Sequence, residues 1–394
     1  MKKYLILAAA ITAMAACTKV ETFDNTPDKA ISFTVVNHLQ QTKATAGLTY
    51  PTSVPFGTFA WWTSGEWTGI AADQEFVFMK NQKIEWRNID EFSTKVWAPS
   101  DAYYWTKTGK ITFASYSPYT ADGTDKGYSE VPVYNVTKGF LFNDYTIVDD
   151  TNVDLMYANL AANCSKTTNV DGSAVTDNSS TEGGYTGVPT IFNHALCQLG
   201  FEFRAIGRKN PNVSEIKIEV TDVDIVNIDN KGSFTQAPAV TTPATPRWET
   251  DHANHVADYD YAPSSALVLN LIENTAANLA ATNNYTALGK TRILLPQTLL
   301  NSADAIGAST DQKLVVAYTI KIKYLSAPDA WATEDVVSAV RLNNGNIAAW
   351  SDNQNITYRI SINPYSTVPV TFDPAIVDWT DVYSNDVNLN EFDD

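Results

Sequence analysis

Apolar residues recur at every second position in short runs along most of this chain, and that period leaves little choice of fold. "AISFTVV" (30–36) sets Ile31, Phe33 and Val35 on one face, and "GKITFASYSP" (109–118) alternates Ile111 and Phe113 with Thr112 and Ala114. "SEIKIEV" (214–220) aligns Ile216, Ile218 and Val220, and "ITYRISI" (356–362) aligns Ile356, Tyr358, Ile360 and Ile362. A period of two is the signature of a half-buried strand. Gly, Pro, Asn and Asp separate the runs, and no long stretch carries the 3.6-residue period of an amphipathic helix. Many short strands with turn residues between them predict an all-β sandwich architecture. The aromatic share of 11% with 18% charged residues agrees with strand-rich sequence.

The chain has 394 residues, more than one core usually holds, so two domains are expected. The clearest break is "CSKTTNVDGSAVTDNSSTEGGYTG" (164–187), rich in Ser, Thr, Asn and Gly and without apolar periodicity. It reads as a linker or long loop. The expected domains are therefore 44–187 and 188–394, two β-sandwiches in tandem. A second Pro- and Thr-rich loop, "TQAPAVTTPATPRWETDHANH" (235–255), interrupts the second half.

The first residues read as an export signal. "MKKYLILAAAITAMAAC" opens with Lys2 and Lys3, continues with an apolar core from Tyr4 to Ala13, and places small residues before Cys17. The apolar run is shorter than the roughly 20 residues a spanning helix needs. Met14-Ala15-Ala16-Cys17 looks like a bacterial lipobox, so 1–16 is the expected signal peptide and Cys17 the acylated first residue of a lipoprotein. Plain secretory cleavage with Cys17 an incidental thiol is the alternative. Acyl chains contribute about 0.8 kcal/mol per buried methylene, enough in pairs or threes to hold a folded body on a membrane. The net charge of −17 becomes more negative once Lys2 and Lys3 are removed. Bulk charge of that sign argues against nucleic acid as a partner. Cys164 and Cys197 are the two thiols left; an oxidising compartment would allow them to pair.

No constellation carries recognisable chemistry. His252 and His255 have HxxH spacing but sit in the Pro- and Thr-rich loop without a further ligand pair, so no metal is expected there. "TDVDIVNIDNKG" (221–232) brings Asp222, Asp224 and Asp229 close in sequence, yet the spacing is not that of an EF-hand, and Val223, Ile225, Val226 and Ile228 read as strand. There is no GxSxG, HExxH or Gly-rich phosphate loop. The expectation is a protein without catalytic residues, cofactor or metal. Among the ten tryptophans, Trp61, Trp62 and Trp67 flank Gly65 and offer an aromatic platform for sugar rings as a rival reading. Core aromatics are the commoner use.

Four segments together resemble the Bacteroidales fimbrillin and Mfa-like families, the type V pilins. "YYWTKTGKITFASYSPY" (103–119) is similar to their Tyr-Trp-Pro, Gly, Phe-x-Ala-x-Ser-Pro segment, with Thr106 in place of the frequent proline. "FNHALCQLGFEFRA" (192–205) resembles the His-Ala segment that opens their second domain. "ILLPQTL" (293–299) and "NQNITYRISINPYSTVPVTFDPAIVDW" (353–379) resemble the Leu-Pro-Gln segment and the closing strands.

The resemblance implies two transthyretin-like domains and a subunit of an adhesive surface fimbria, exported to the outer membrane as a lipoprotein. In polymerising members a trypsin-like protease removes the lipidated N-terminal strand, and a neighbouring subunit's strand fills the groove. Carried onto this chain, 17–43 is the lipidated segment with its removable strand, and Ile31, Phe33 and Val35 form the plug. Lys43-Ala44 is the candidate processing point, where relatives often carry Thr-Arg-Ala and this chain has Thr42-Lys43-Ala44, with an ordinary surface lysine in a hairpin loop as the alternative. An enzyme that requires arginine would leave this chain uncut. Val387 and Leu389, alternating with Asn388 and Asn390, form the donated strand. The implied partners are other fimbrial subunits, the processing protease and the outer membrane, with the receptor open.

Overall fold

The computed structural model describes residues 30–37, 50–89, 95–148, 153–165, 187–208, 210–236, 247–300, 312–343, 347–365 and 370–378. Over these residues the chain is almost entirely β. It opens with β1 (Phe33–Asn37), β2 (Phe56–Thr63), β3 (Val77–Arg87), β4 (Val96–Pro99) and β5 (Lys110–Ser117). After β6 (Val133–Asn135) and β7 (Gly139–Thr146) come β8 (Met156–Ala158), β9 (Ala161–Cys164) and β10 (Val188–His194). The second half holds β11 (Cys197–Gly207), β12 (Val213–Asp229), β13 (Lys231–Thr235), β14 (Trp248–Thr250), β15 (Val256–Asp260) and β16 (Leu267–Glu273). A five-residue helix, α1 (Ala276–Ala280), precedes β17 (Thr286–Leu294), β18 (Lys313–Tyr324), β19 (Ala327–Arg341), β20 (Gln354–Ile362) and β21 (Val370–Asp378). No described helix is long and apolar enough to cross a membrane.

The first sheet runs β2-β3-β4-β1-β10-β8-β5-β9, and β2 also pairs with β5, so seven of its strands close into a ring. A ring has no free edge along those strands, which removes the unpaired backbone that edges expose. The second sheet follows β19-β18-β12-β16-β11-β20-β21, with β15 on β12 and β17 on β11. A small third sheet, β14-β13-β7-β6, takes two strands from each half of the sequence.

Pairing thus crosses the boundary expected at residue 187 in two places. β10 lies in the first sheet, between β1 and β8, and β7 pairs with β13. The chain passes from the first sheet to the second only across Ala195 and Leu196, both fully buried.

Three apolar clusters fill the structure. One lies inside the ring and includes Ile31, Phe33, Phe56, Trp97, Phe113 and Phe192. A second belongs to the nine-stranded sheet, where Ile356, Tyr358, Ile360 and Ile362 all face inward as their alternation requires. The third joins the halves: Trp61, Tyr116, Phe140 and Tyr157 meet Leu196, Phe234, Trp248 and Leu295. Because the third cluster covers the outside of β5, that strand is buried on both faces. Ile111 and Phe113 point into the ring, and Ala114 and Tyr116 point away from it.

β12 keeps its apolar side inward over 17 residues by breaking register three times, first against β18 between Val213 and Glu215. Ile216, Ile218 and Val220 are buried; a shift against β18 between Val220 and Asp222 then hands the core face to Val223 and Ile225. A third shift, against β15 at Ile225/Ile228, surrounds Asn227 with its φ of 60° and returns Ile228 to the core. Each bulge absorbs one residue that a two-residue repeat cannot place.

Candidate functional site

The site with the most distinctive construction is the seat of β1. Ile31 and Phe33 are 1% and 4% exposed, and Val35 packs on the same cluster from the half-buried end of the strand. β1 is short, yet both of its sides are hydrogen-bonded. It runs parallel to β10 over five registered pairs, from Phe33↔Val188 to Asn37↔Phe192, and antiparallel to β4 at Phe33↔Trp97. Ile31 N–H donates to the Tyr103 carbonyl at 2.7 Å, and the Ser32 carbonyl accepts from Val188 N–H at 2.8 Å. These bonds answer the backbone's obligatory polar groups within the interior.

An aromatic cage receives the plug residues. The Phe33 ring meets Phe56 and Phe113 edge-on at 5.7 and 5.6 Å between centroids. Tyr50 closes the cage from the far side of the 38–49 segment, stacking on Phe192 at 5.1 Å and meeting Trp97 at 5.3 Å. Its hydroxyl lies 2.6 Å from Ser117 Oγ, and burial pushes its phenol well above the ordinary range. Beside the cage, His194 Nδ1 lies 2.9 Å from Asp154 Oδ2, both side chains deeply buried. Gly187 approaches the strand so closely that a side chain there would strike its backbone. None of Tyr50, Trp97, Gly187 or Phe192 stands out by alternation alone. The only available signal is that Gly187 directly precedes an apolar run.

Cys17, Lys43, Ala44, Val387 and Leu389 lie outside the described residues. Cys164 and Cys197 are both buried, unpaired thiols, held in the ring and in the nine-stranded sheet respectively. Cys164 Sγ is directed at the Ala161 carbonyl and Cys197 Sγ at the Leu294 carbonyl, and the disulfide that the sequence left open is not formed. Cys164 ends β9 rather than lying within the polar segment.

The tryptophan platform is not formed. Neighbouring positions on a strand point to opposite faces, so Trp61 and Trp62 of β2 cannot present one surface. Trp61 is 5% exposed, packed against Phe59, Trp67 and Tyr134. Trp62 turns toward the ring and donates its indole N–H to the Thr108 carbonyl at 2.8 Å.

The remaining polar clusters separate likewise. Asp229 is 2% exposed, bonded to Thr250 Oγ1 and to His252 Nδ1, each at 2.5 Å. Asp222 and Asp224 instead join Asp260 on the sheet surface. Burial, followed by repulsion from Asp222 and Asp260, raises the Asp224 carboxyl. The three aspartates close in sequence therefore do not converge.

Residues 42–379 match the model of the fimbrillin-like family. The chain belongs to that family. No curated protein sequence matches this fimbrillin-like chain. Among solved structures, a fimbrial protein from Bacteroides vulgatus is similar to it with 20% identity and a TM-score of 0.51, covering 89% of this chain and 99% of that one. A fimbrilin from Porphyromonas gingivalis is 11% identical with a TM-score of 0.36, covering 89% and 99% respectively. At 20% identity the first likeness concerns the fold of the fimbrillin-like chain.

Proposed function

We propose that the chain is a non-enzymatic structural or adhesive subunit of a cell-surface fimbria. On this reading it reaches the outer membrane as a lipoprotein acylated at Cys17 and joins its neighbours by strand exchange at the β1 seat. The observation that carries the reading is that seat: a short N-terminal strand, paired on both sides, whose buried Phe33 lies ten positions before Lys43. A cut between Lys43 and Ala44 by a trypsin-like protease would detach β1 and leave Tyr50 on the body.

The energetics support a replacement rather than an empty groove. Burial of Ile31 and Phe33 is worth about 1.5–3 kcal/mol each. Removing them would uncover about 3–6 kcal/mol of apolar contact and leave β4 and β10 with unpaired edges. A C-terminal segment carrying Val387 and Leu389 on one face would supply apolar side chains and backbone pairing together, as in donor-strand complementation. The partners on this reading are other fimbrial subunits, the protease and the membrane. A net charge of −17 disfavours nucleic acid. The proposed layout is two transthyretin-like sandwiches, with the handover at Ala195–Leu196 because β10 pairs with β1.

The test is the mass and N-terminal sequence of the protein recovered from its native cell surface. A chain beginning at Ala44 supports strand removal; one beginning at acylated Cys17 overturns it and leaves an anchor or a monomeric surface lipoprotein. Deleting 384–394 should block polymer while the monomer still folds, and normal polymer from that deletion would reject the donor role.

A further inference from the structure

Among the described residues, Trp86 is the one tryptophan in the exposed class, at 38%. It stands near the end of β3 over a cleft of 420 Å³, within the range of small-ligand sites. Thr52, Ser53 and Pro55, from the turn before β2, form one wall; Glu85, Arg87 and Asn88 flank Trp86 on the other. The indole is held from below. Trp97 is its registered partner on β4, with ring centroids 5.7 Å apart and planes inclined at 56°, and Trp97 is itself 5% exposed. The aromatic surface is thus set in place before any ligand arrives, which lowers the ordering cost of binding.

The lining selects a class of ligand. Only Trp86 and Pro55 are apolar, so a wholly apolar guest would take Thr52, Ser53 and Asn88 out of water without partners. Of the charged lining residues, Glu85 is paired with Lys83 at 2.5 Å and Arg87 is directed at the Pro99 carbonyl. An anionic guest finds only Arg87 to attract it, already directed at a carbonyl, and meets the field of a chain with net charge −17. What remains is a neutral molecule with an apolar ring face and a rim of hydroxyls. We infer that this cleft is a saccharide-binding site in which a neutral sugar ring lies on Trp86, with hydroxyls met by Thr52, Ser53 and Asn88.

This site adjoins the β1 seat, sharing Trp97 with the cage, but its lining residues take no part in strand exchange, so it is tested on the uncut monomer. The protein is applied to an array of neutral hexose and N-acetylhexosamine oligosaccharides, sialylated and sulfated glycans, and unrelated peptides; any sugar that binds is then titrated calorimetrically. The expected result is binding confined to neutral glycans, weakened about tenfold or more by Trp86→Ala and unchanged by Trp331→Ala on the other sheet. No neutral glycan bound at millimolar concentration, preference for acidic glycans or peptides, or equal binding by Trp86→Ala would each overturn the assignment. If Trp86→Ala fails to fold, Asn88→Ala serves in its place. It leaves the Trp86–Trp97 contact intact and must weaken binding for the assignment to stand.

Discussion

A β-carbon on Gly187 would stand 2.6 Å from the carbonyl oxygen of Ser32 and 3.0 Å from the carbonyl carbon of Phe33. The chain entering β10 lies against the backbone of β1, and glycine is what permits the approach. Gly187→Ala should therefore loosen β1 in its seat. The expected cost is about 1–3 kcal/mol in urea unfolding, as for other overpacked positions, with faster tryptic cleavage at Lys43. An unchanged unfolding midpoint would show that β1 shifts without penalty.

Phe33 anchors the strand in the cage, its ring contacting both Phe56 and Phe113. Phe33→Ala should destabilise the uncut protein by about 3–5 kcal/mol. Thr34→Ala, a half-buried neighbour, should cost less than about 1 kcal/mol. Equal losses at the two positions would contradict the assignment of the core face.

The two internal thiols should be inert in the native protein. Burial pushes the Cys164 thiol up to about 12, and Cys197 is raised by the same cause. With Cys17→Ser as background, neither should react with a thiol reagent near pH 8, and both should react once the chain is unfolded. A folded pKa above the unfolded value means that stability is intact below about pH 9 and declines as pH rises toward 12. Prompt labelling of the native protein would indicate that one of these strands opens.

Arg247 ties the small sheet to both halves: its Nη1 donates to Asp352 Oδ2 at 2.8 Å and to the Tyr157 hydroxyl. Burial raises the Asp352 carboxyl even though Arg247 opposes it. Arg247→Leu should cost about 1–3 kcal/mol at neutral pH, since the carboxylate loses its charged donor. The sign with pH is fixed. Without Arg247 the carboxyl rises further, so the protonated form is favoured on folding and the deficit should shrink as pH falls through the carboxylate range. Paired urea titrations at neutral and acid pH measure it; a deficit that grows on acidification would refute the arrangement.

Alternation made most of the strands legible, because a sheet face buried against a core must show its period directly. β20 and the first half of β12 lie where their apolar positions put them. The parity breaks around Asp222 and Asn227 were not legible, since a bulge is defined by the partner strand and not by its own sequence. Nor was the third sheet: β7 and β13 are some 90 residues apart, and nothing local in either names the other. For the site, the face formed by Ile31 and Phe33 could be read from the sequence. The cage residues Tyr50, Trp97 and Phe192 come from three distant segments and are related only by the fold.

The ring of seven strands has a consequence for counting. Neighbouring strands lie about 4.8 Å apart, so taking β1 out leaves two facing edges roughly 9.6 Å from each other, room for one strand. Because β10 and β4 run in opposite senses on its two sides, an inserted strand pairs parallel on one side and antiparallel on the other, as β1 does. Under the proposed strand exchange, a subunit built this way would be a monovalent acceptor. Chains joined through it would grow as unbranched lines, each junction holding a single donor.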